Sequence, residues 1–251
     1  MAEYDNRIVR GAATVADTID MGLRAHMLRV YNYMVGALGL TGAVAYVVAN
    51  SPALLNLFYQ QTVTASGGVA LSPTILGWVV MLAPIALVFF LSFRVMHMSQ
   101  AAAQATFWGY AALTGASLAS ILIVYTGASV AMTFFVTAAT FGSMSLYGYT
   151  TKRDLTGMGS FLFMGLIGVL LASLANMFFK SPMMDFVISV IGVLVFVGLT
   201  AYDTQKIKET YWEADDSETH GKKAIMGALN LYLDFINLFV MLLQLFGARR
   251  D

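Results

Sequence analysis

Two long stretches of the chain contain no charged residue, Val30 to Phe93 and Met98 to Thr151. A helix of about 20 apolar residues crosses the ~30 Å hydrocarbon core of a bilayer, so each stretch is long enough for two spans. Charged residues make up only 11% of the chain, too few to cover the surface of a soluble domain, which has about 25%. The sequence therefore predicts an all-α polytopic membrane protein.

Hydropathy, together with Gly and Pro residues at the connections, predicts seven transmembrane helices. They cover residues 30–49, 75–93, 107–125, 130–149, 160–179, 186–206 and 224–246. The chain then divides into a cytoplasmic N-terminal segment (1–27), a seven-helix transmembrane domain (28–247) and a short tail (248–251). The N-terminal segment has one apolar face, so we expect a short helix on the membrane surface. An arm that binds a partner is the alternative.

The lysines and arginines are divided unequally between the two sides of the predicted bundle. Eleven lie in the N-terminal segment and connections two, four and six, and three lie on the other side. Because positively charged loops stay in the cytoplasm, we predict a cytoplasmic N-terminus. Seven full spans place Arg249 and Arg250 outside, whereas a re-entrant last span would place them inside. We prefer seven because residues 224–246 are long enough to cross.

Composition also excludes several function classes. The net charge is zero, which gives no indication of nucleic-acid binding. The absence of cysteine excludes disulfides and thiol chemistry. His26, His97 and His220 are scattered along the chain, so no histidine metal site and no resident cofactor are predicted.

Glycines recur at helical spacing in the first span, at Gly36, Gly39 and Gly42. Small residues on one face let membrane helices approach closely. We therefore predict that this face packs against a neighbouring helix.

Three ionisable residues lie within or at the end of apolar spans, Asp203 in span six, Asp234 in span seven and Arg94 at the end of span two. Ionisable groups are costly in a membrane, and each is a functional hypothesis by default. The structural alternatives are an interfacial ion pair of Asp203 with a nearby lysine, and a snorkelling anchor role for Arg94.

Span seven carries a polar stripe of Asn230, Asp234, Asn237 and Gln244 on an otherwise apolar helix. At about 100° per residue these side chains share one face. Lipid offers polar groups no partner, so the stripe should face the interior of the bundle or a cavity. Span six has a matching face of small and polar residues that includes Asp203, so the two aspartates are predicted to meet.

Two carboxylates that meet within about 4–6 Å cannot easily both be ionised, and the favoured state is one shared proton. We predict a pH-sensitive contact between the two spans, with Arg94 as the counter-ion of whichever aspartate is released. The apparent depths of the two aspartates in the membrane differ, because Asp203 lies three residues before Lys206, whereas Asp234 lies eleven residues after Lys223.

Residues 199–208 (LTAYDTQKIK) and 228–239 (ALNLYLDFINLF) resemble the closing motifs of the transmembrane Bax inhibitor motif family. The turn Thr150–Leu155 and residues 116–118 also fit, and the resemblance extends over about residues 25–247. It implies a seven-helix fold whose last helix is central and surrounded by the other six. The paired aspartates of the family correspond to Asp203 and Asp234, and its second-helix arginine corresponds to Arg94.

The resemblance also implies a function, a pH-sensitive calcium leak, with calcium held transiently by Asp203 and Asp234. The short tail favours a bacterial inner (plasma) membrane. Two other functions remain open, an interaction protein that restrains a membrane-bound protease and an intramembrane aspartyl protease. Against the enzyme, Leu231-Tyr232-Leu233 precedes Asp234 where such proteases have Gly-x-Gly, so we expect no enzymatic activity. The acidic residues Glu213, Asp215, Asp216 and Glu218 are expected to form a solvated connection.

Overall fold

The computed structural model describes the backbone of residues 2–63 and 69–250 and the side chains of residues 21–60 and 72–250. The helices are α1 (Ala2–Asn50), α2 (Pro52–Phe58), α3 (Ile75–Arg94), α4 (Gln100–Val124), α5 (Gly127–Thr150), α6 (Thr156–Phe179), α7 (Pro182–Glu209) and α8 (Ser217–Phe246). The strands are β1 (Tyr59–Val63) and β2 (Val69–Pro73), and a 3-10 turn (Val95–His97) follows α3.

Seven of these helices, α1 and α3 to α8, are long and apolar enough to span a membrane. The seven predicted spans and the all-α class are therefore confirmed. Several helices begin earlier than predicted, because a polar cap rather than the first apolar residue starts them. Helix α4 begins after Ser99, whose hydroxyl accepts from the amide of Ala102, and α8 begins after Asp216.

Helix α1 is continuous from Ala2 to Asn50, and its residues Met21–Asn50 are long and apolar enough to cross a membrane. The predicted N-terminal segment and the first span thus form one helix. The side chains of the first twenty residues, which include Val15 and Ile19 of the predicted apolar face, lie outside the described residues.

The first connection contains structure that the sequence did not indicate. Helix α2 is followed by an antiparallel hairpin in which Tyr59 pairs with Pro73. Thr74 joins α2 to α3, because its hydroxyl donates to the carbonyl of Leu57 (2.7 Å) and accepts from the amide of Gly77 (3.0 Å).

Helix α8 is the central element of the bundle, as the resemblance implied. It packs mainly against α1, α4, α5 and α7, and nearly all of its aliphatic positions from Leu229 to Leu243 are buried or half-buried. The expectation that six helices surround it is only partly met. Helix α3 packs chiefly on α4, and α6 packs chiefly on α7.

The connections between α3 and α4, α5 and α6, and α7 and α8 lie at the same end of the bundle. We call it the basic end because it carries Arg94, Lys152, Arg153 and the lysines of α7 and α8. Gln205 ties α7 to the turn between α5 and α6, donating to Arg153 O and accepting from Leu155 N, both at 2.8 Å. Lys222 donates to Met96 O (3.4 Å).

The residues after α8 lie at the opposite end of the bundle. Thr126 N donates to Ala248 O (3.0 Å), and Arg250 N donates to Val124 O (2.9 Å). This pairing with the connection between α4 and α5 shows that α8 crosses the whole bundle. The re-entrant alternative is therefore wrong, because such a span would return the tail to the basic end.

Asp216 gives the start of α8 a measurable pH dependence. A hydrogen bond from the Thr219 side chain lowers the pKa of the Asp216 carboxyl group most, and the bonds that it accepts from the amides of Thr219 (3.4 Å) and Glu218 (3.2 Å) lower the pKa further. Because its folded-state pKa lies below the unfolded value of about 3.9, the cap is fully formed above that pH and is lost as the pH falls through the lowered pKa. We expect the protection of the Glu218 and Thr219 amides from hydrogen exchange, relative to an unfolded chain at the same pH, to decrease there, whereas Asp216→Asn should remove this pH dependence. Equal profiles for both proteins would contradict the cap.

Candidate functional site: the aspartate pair

The side chains of Asp203 on α7 and Asp234 on α8 meet inside the bundle, within hydrogen-bonding reach of each other. Asp234 is buried, with 4% of its surface exposed, and Asp203 is half-buried. The structure therefore brings together the two carboxyl groups that the sequence placed on neighbouring spans.

The register of the two antiparallel helices explains how residues of different apparent depth meet. Ile207 lies against Gly227, and Met241 lies against Gly192, so Asp203 is level with Asn230 and Asp234 lies about one turn deeper. Side chains on a helix tilt toward its N-terminus. Because the helices are antiparallel, the two carboxyl groups tilt toward each other and close a gap of about 5 Å.

The predicted depth mismatch is removed mainly by the start of α8. Ten helical residues, Ser217 to Met226, precede Gly227, and they extend beyond the level at which α7 ends. Lys223, which the sequence analysis used as the depth marker, bonds there to Thr210 O and pairs with Asp215. It therefore marks the connection and not the membrane boundary of α8.

The hydrogen bonding of the pair requires a proton. Asp234 Oδ2 is buried, and no donor reaches it among the groups of the described residues that carry a hydrogen at neutral pH. A carboxylate accepts hydrogen bonds but donates none, so two carboxyl groups in contact bond only if one is protonated. The geometry thus suits a carboxyl–carboxylate pair with one shared proton.

A chain of hydroxyl groups lies beside the pair and was missed by the sequence analysis. Thr204, next to Asp203, donates to Thr200 O (2.7 Å) and lies 3.0 Å from the hydroxyl of Ser145 on α5. The Ser145 hydroxyl in turn lies 2.5 Å from that of Tyr31 on α1. These contacts join α7 to α5, and α5 in turn to α1. The sequence signal that could have indicated a polar contact here is the pair Thr200 and Thr204, which are four residues apart and therefore lie on one face of α7.

Arg94 does not contact the pair. It is exposed at the end of α3, and it forms no ion pair with either aspartate within the described part of the chain. In this arrangement the position fits the snorkelling anchor, and the counter-ion role remains a prediction about a different arrangement of the helices. The lysine alternative for Asp203 is also not observed, since Lys206 lies over the ring of Tyr202 and Lys208 donates to Tyr149 O.

The rest of the polar stripe does not form one continuous surface. Asn230 is half-buried one turn before Asp234, and Asn237 bonds to Leu233 O of its own helix (2.8 Å). Gln244 accepts from the hydroxyl of Ser189 on α7 (2.8 Å) near the opposite end. The polar residues predicted from helical periodicity to share one face thus make separate contacts at different levels of α8.

Gln244 borders a cavity of about 350 Å³ at the opposite end, between α6, α7 and α8. The cavity is also lined by Asp185, whose carboxylate accepts from Asn176, and by Lys180 and Met241. Met241 faces the cavity and also lies against Gly192. A polar recess therefore leads from the opposite end toward the contact between α7 and α8.

Two of the histidines that look scattered in the sequence come together at the basic end. Tyr211 lies between His26 and His220, with ring centroids 5.6 and 5.4 Å away. No group of three or more potential metal ligands occurs within the residues that the structure describes. The nearby acidic connection is more than a solvated loop, because Asp215 pairs with Lys223 and Asp216 caps α8.

Comparison with known proteins identifies relatives over nearly the whole chain. Residues 23–251 match the family model described as inhibitor of apoptosis-promoting Bax1. The chain is 49% identical to the protein RP147 of Rickettsia prowazekii over 236 aligned residues. The alignment covers 93% of this chain and 94% of that protein. The chain is 49% identical over 231 residues to the inner membrane protein YbhL of Escherichia coli K12, with coverage of 91% and 94%. A protein of Caulobacter vibrioides is 46% identical over 235 residues, with coverage of 93% and 92%.

Proposed function

Because this multi-pass membrane protein belongs to the family of the inhibitor of apoptosis-promoting Bax1, and because its aspartates meet inside the bundle, we propose that it is a pH-sensitive calcium leak channel. Its place is the inner membrane, with the N-terminus and the basic end in the cytoplasm. The distribution of lysine and arginine supports this orientation, and the relative YbhL is described as an inner membrane protein.

The contact between Asp203 and Asp234 carries the proposal. With one shared proton, the pair holds α7 against the central helix α8. Loss of that proton leaves two like charges in contact, which repel each other and cannot hydrogen bond. Deprotonation therefore favours separation of α7 from α8.

The separated carboxylates would supply what a calcium path needs. Calcium binds six to eight oxygen ligands at about 2.3–2.6 Å, and carboxylates are its preferred side-chain ligands. Acidic side chains also select cations in pores. The amide of Asn230, level with Asp203, offers a further oxygen, so the pair acts as both the gate and a transient cation site.

The polar cavity at the opposite end supports the proposed route. Asp185 and Gln244 line it, and Met241 lies between it and Gly192 on α7. Gly192 is eleven residues from Asp203, or about 16 Å along the helix. In the closed arrangement Met241 fills this part of the contact, and movement of α7 away from α8 would uncover it.

The test is calcium flux into proteoliposomes containing the purified chain, with the same pH on both sides. We expect the flux of the wild type to increase with pH, by up to about tenfold per unit, the limit for release of one proton. Asp203→Asn and Asp234→Asn should each remove this pH dependence, because neither variant has a second carboxyl group with which the remaining aspartate can share a proton. Asp154→Asn, at an exposed turn, is the matched control and should behave as the wild type. No flux in the wild type at any pH, or an unchanged pH profile in both aspartate variants, would reject the channel.

A further inference from the structure

A long groove runs between α1 and α5 and is open toward the bilayer. It consists of three adjoining cavities of about 500, 500 and 130 Å³ that share lining residues. Met34 and Phe141 border the first two cavities, and Gly42, Phe134 and Phe235 border the second and third. We call this the α1–α5 groove, and the central helix α8 contributes Phe235 to the lining of its second and third cavities.

The glycines of α1 keep this groove open. A side chain added at Gly36 would collide with Trp108 on α4, so that glycine serves helix packing as predicted. At Gly39 and Gly42, by contrast, no atom lies within 4 Å of the position that a Cβ would occupy. The prediction of a packing seam is therefore wrong for these two, because they face the groove instead of a helix.

The chemistry of the groove changes along its length. Its middle and the part near the opposite end are almost wholly apolar, with Phe134, Phe141 and Phe235 as the largest side chains. At the basic end its lining includes the polar residues Tyr31 and Ser145 and the charged residue Arg24. Arg24 is exposed and has no ion pair with any side chain that the structure describes.

We propose that the α1–α5 groove binds an acyl chain of an anionic phospholipid from the leaflet at the basic end, with the lipid phosphate at Arg24. A lateral apolar groove at membrane depth is filled by hydrocarbon, since acyl chains are the solvent there. From Tyr31 to Ala45 the groove extends about 21 Å along α1, which is more than half of the ~30 Å hydrocarbon core, so it is deep enough to hold an acyl chain from one leaflet. A guanidinium at the headgroup level complements a phosphate in charge and in hydrogen-bonding geometry.

This site is separate from the proposed calcium path, because it lies between α1 and α5, whereas the aspartate pair lies between α7 and α8. It accounts for two features that conduction does not use. One is the pair of unpacked glycines in α1, and the other is Arg24 beside an apolar groove.

The test is native mass spectrometry of the protein released from mixed micelles of phosphatidylglycerol and phosphatidylcholine in equal amounts. We expect the wild type to retain one phospholipid with a preference for phosphatidylglycerol. The double variant Gly39→Leu/Gly42→Leu fills the groove without a backbone collision and should reduce retention at least about tenfold, since each displaced methylene contributes to binding. Arg24→Gln should keep a bound lipid but reduce the preference for phosphatidylglycerol about fivefold.

Gly168→Leu is the matched control, because Gly168 on α6 is exposed and also has no atom within 4 Å of its Cβ position. It should retain lipid as the wild type does. Melting temperatures of all variants establish that they are folded. Equal lipid retention by the folded double variant and the wild type would overturn the proposal, and so would an equal loss in Gly168→Leu. An unchanged lipid preference in Arg24→Gln would overturn the assignment of the phosphate to Arg24.

Discussion

Replacing Gly148 by leucine should destabilise the bundle severely. Gly148 on α5 lies directly against the backbone of Ala201 on α7, so an added side chain would collide with a carbonyl oxygen and not with a flexible group. The two helices must then separate. Inserting bulk into a packed core costs about 1–3 kcal/mol or more, and a collision with backbone belongs at the upper end of that range.

The melting temperature of the purified protein in detergent, followed by tryptophan fluorescence, measures this effect. Gly142→Leu is the control, because Gly142 lies six residues earlier on α5 and no atom lies within 4 Å of its Cβ position. We expect a large decrease for Gly148→Leu and little change for Gly142→Leu. Similar melting temperatures for the two variants would show that α5 and α7 do not pack this closely.

Replacing Tyr232 by alanine should have a comparable effect on stability, through lost packing instead of collision. Tyr232 on α8 is fully buried and joins three helices. Its ring packs edge-on against Tyr110 of α4 at 5.6 Å, and its hydroxyl lies 2.6 Å from that of Thr41 on α1. Truncating a buried aromatic side chain to alanine typically costs about 3–5 kcal/mol, because a cavity remains.

The variant Tyr232→Phe separates the ring from its hydroxyl. Thr41 donates its only hydroxyl proton to Ala111 O (2.9 Å), so Tyr232 is the donor in the bond with Thr41. Phenylalanine removes that bond but leaves Thr41 bonded to α4. We therefore expect a loss of about 1 kcal/mol, the typical contribution of one hydrogen bond. Unfolding in denaturant measures both changes, and equal losses for alanine and phenylalanine would contradict the packing role of the ring.

Much of the fold could be predicted because the membrane constrains a sequence strongly. Seven apolar segments correspond to seven helices, and the two aspartates stand out against apolar neighbours, so their meeting could be inferred from adjacent spans. The periodicity of α8 identified which residues share a face. It did not indicate that Gln244 and Asn237 hydrogen bond to different partners, Gln244 to Ser189 on α7 and Asn237 to its own helix. The partner depends on which helix lies opposite each turn of α8.

Other features depend on register and packing, which one sequence does not reveal. The three glycines of the first span have identical spacing, yet only Gly36 meets a neighbouring helix, because α5 does not close against α1 at the level of Gly39 and Gly42. The hydroxyl chain through Thr204, Ser145 and Tyr31 links residues up to 173 positions apart. Arg94 was expected near the aspartate pair because it lies at the same end of the bundle. However, α3 packs on α4, away from the contact between α7 and α8.

The central position of α8 has a consequence for biosynthesis. The ribosome makes α8 after the other six spans, yet α1, α4, α5 and α7 all pack against it. Until α8 enters the membrane, these helices lack their common partner, and Asp203 faces the interior without its neighbour. The bundle must therefore assemble largely after all seven spans have entered the membrane. Chains that end before Ser217 should be recognised as unassembled by the proteases of membrane quality control.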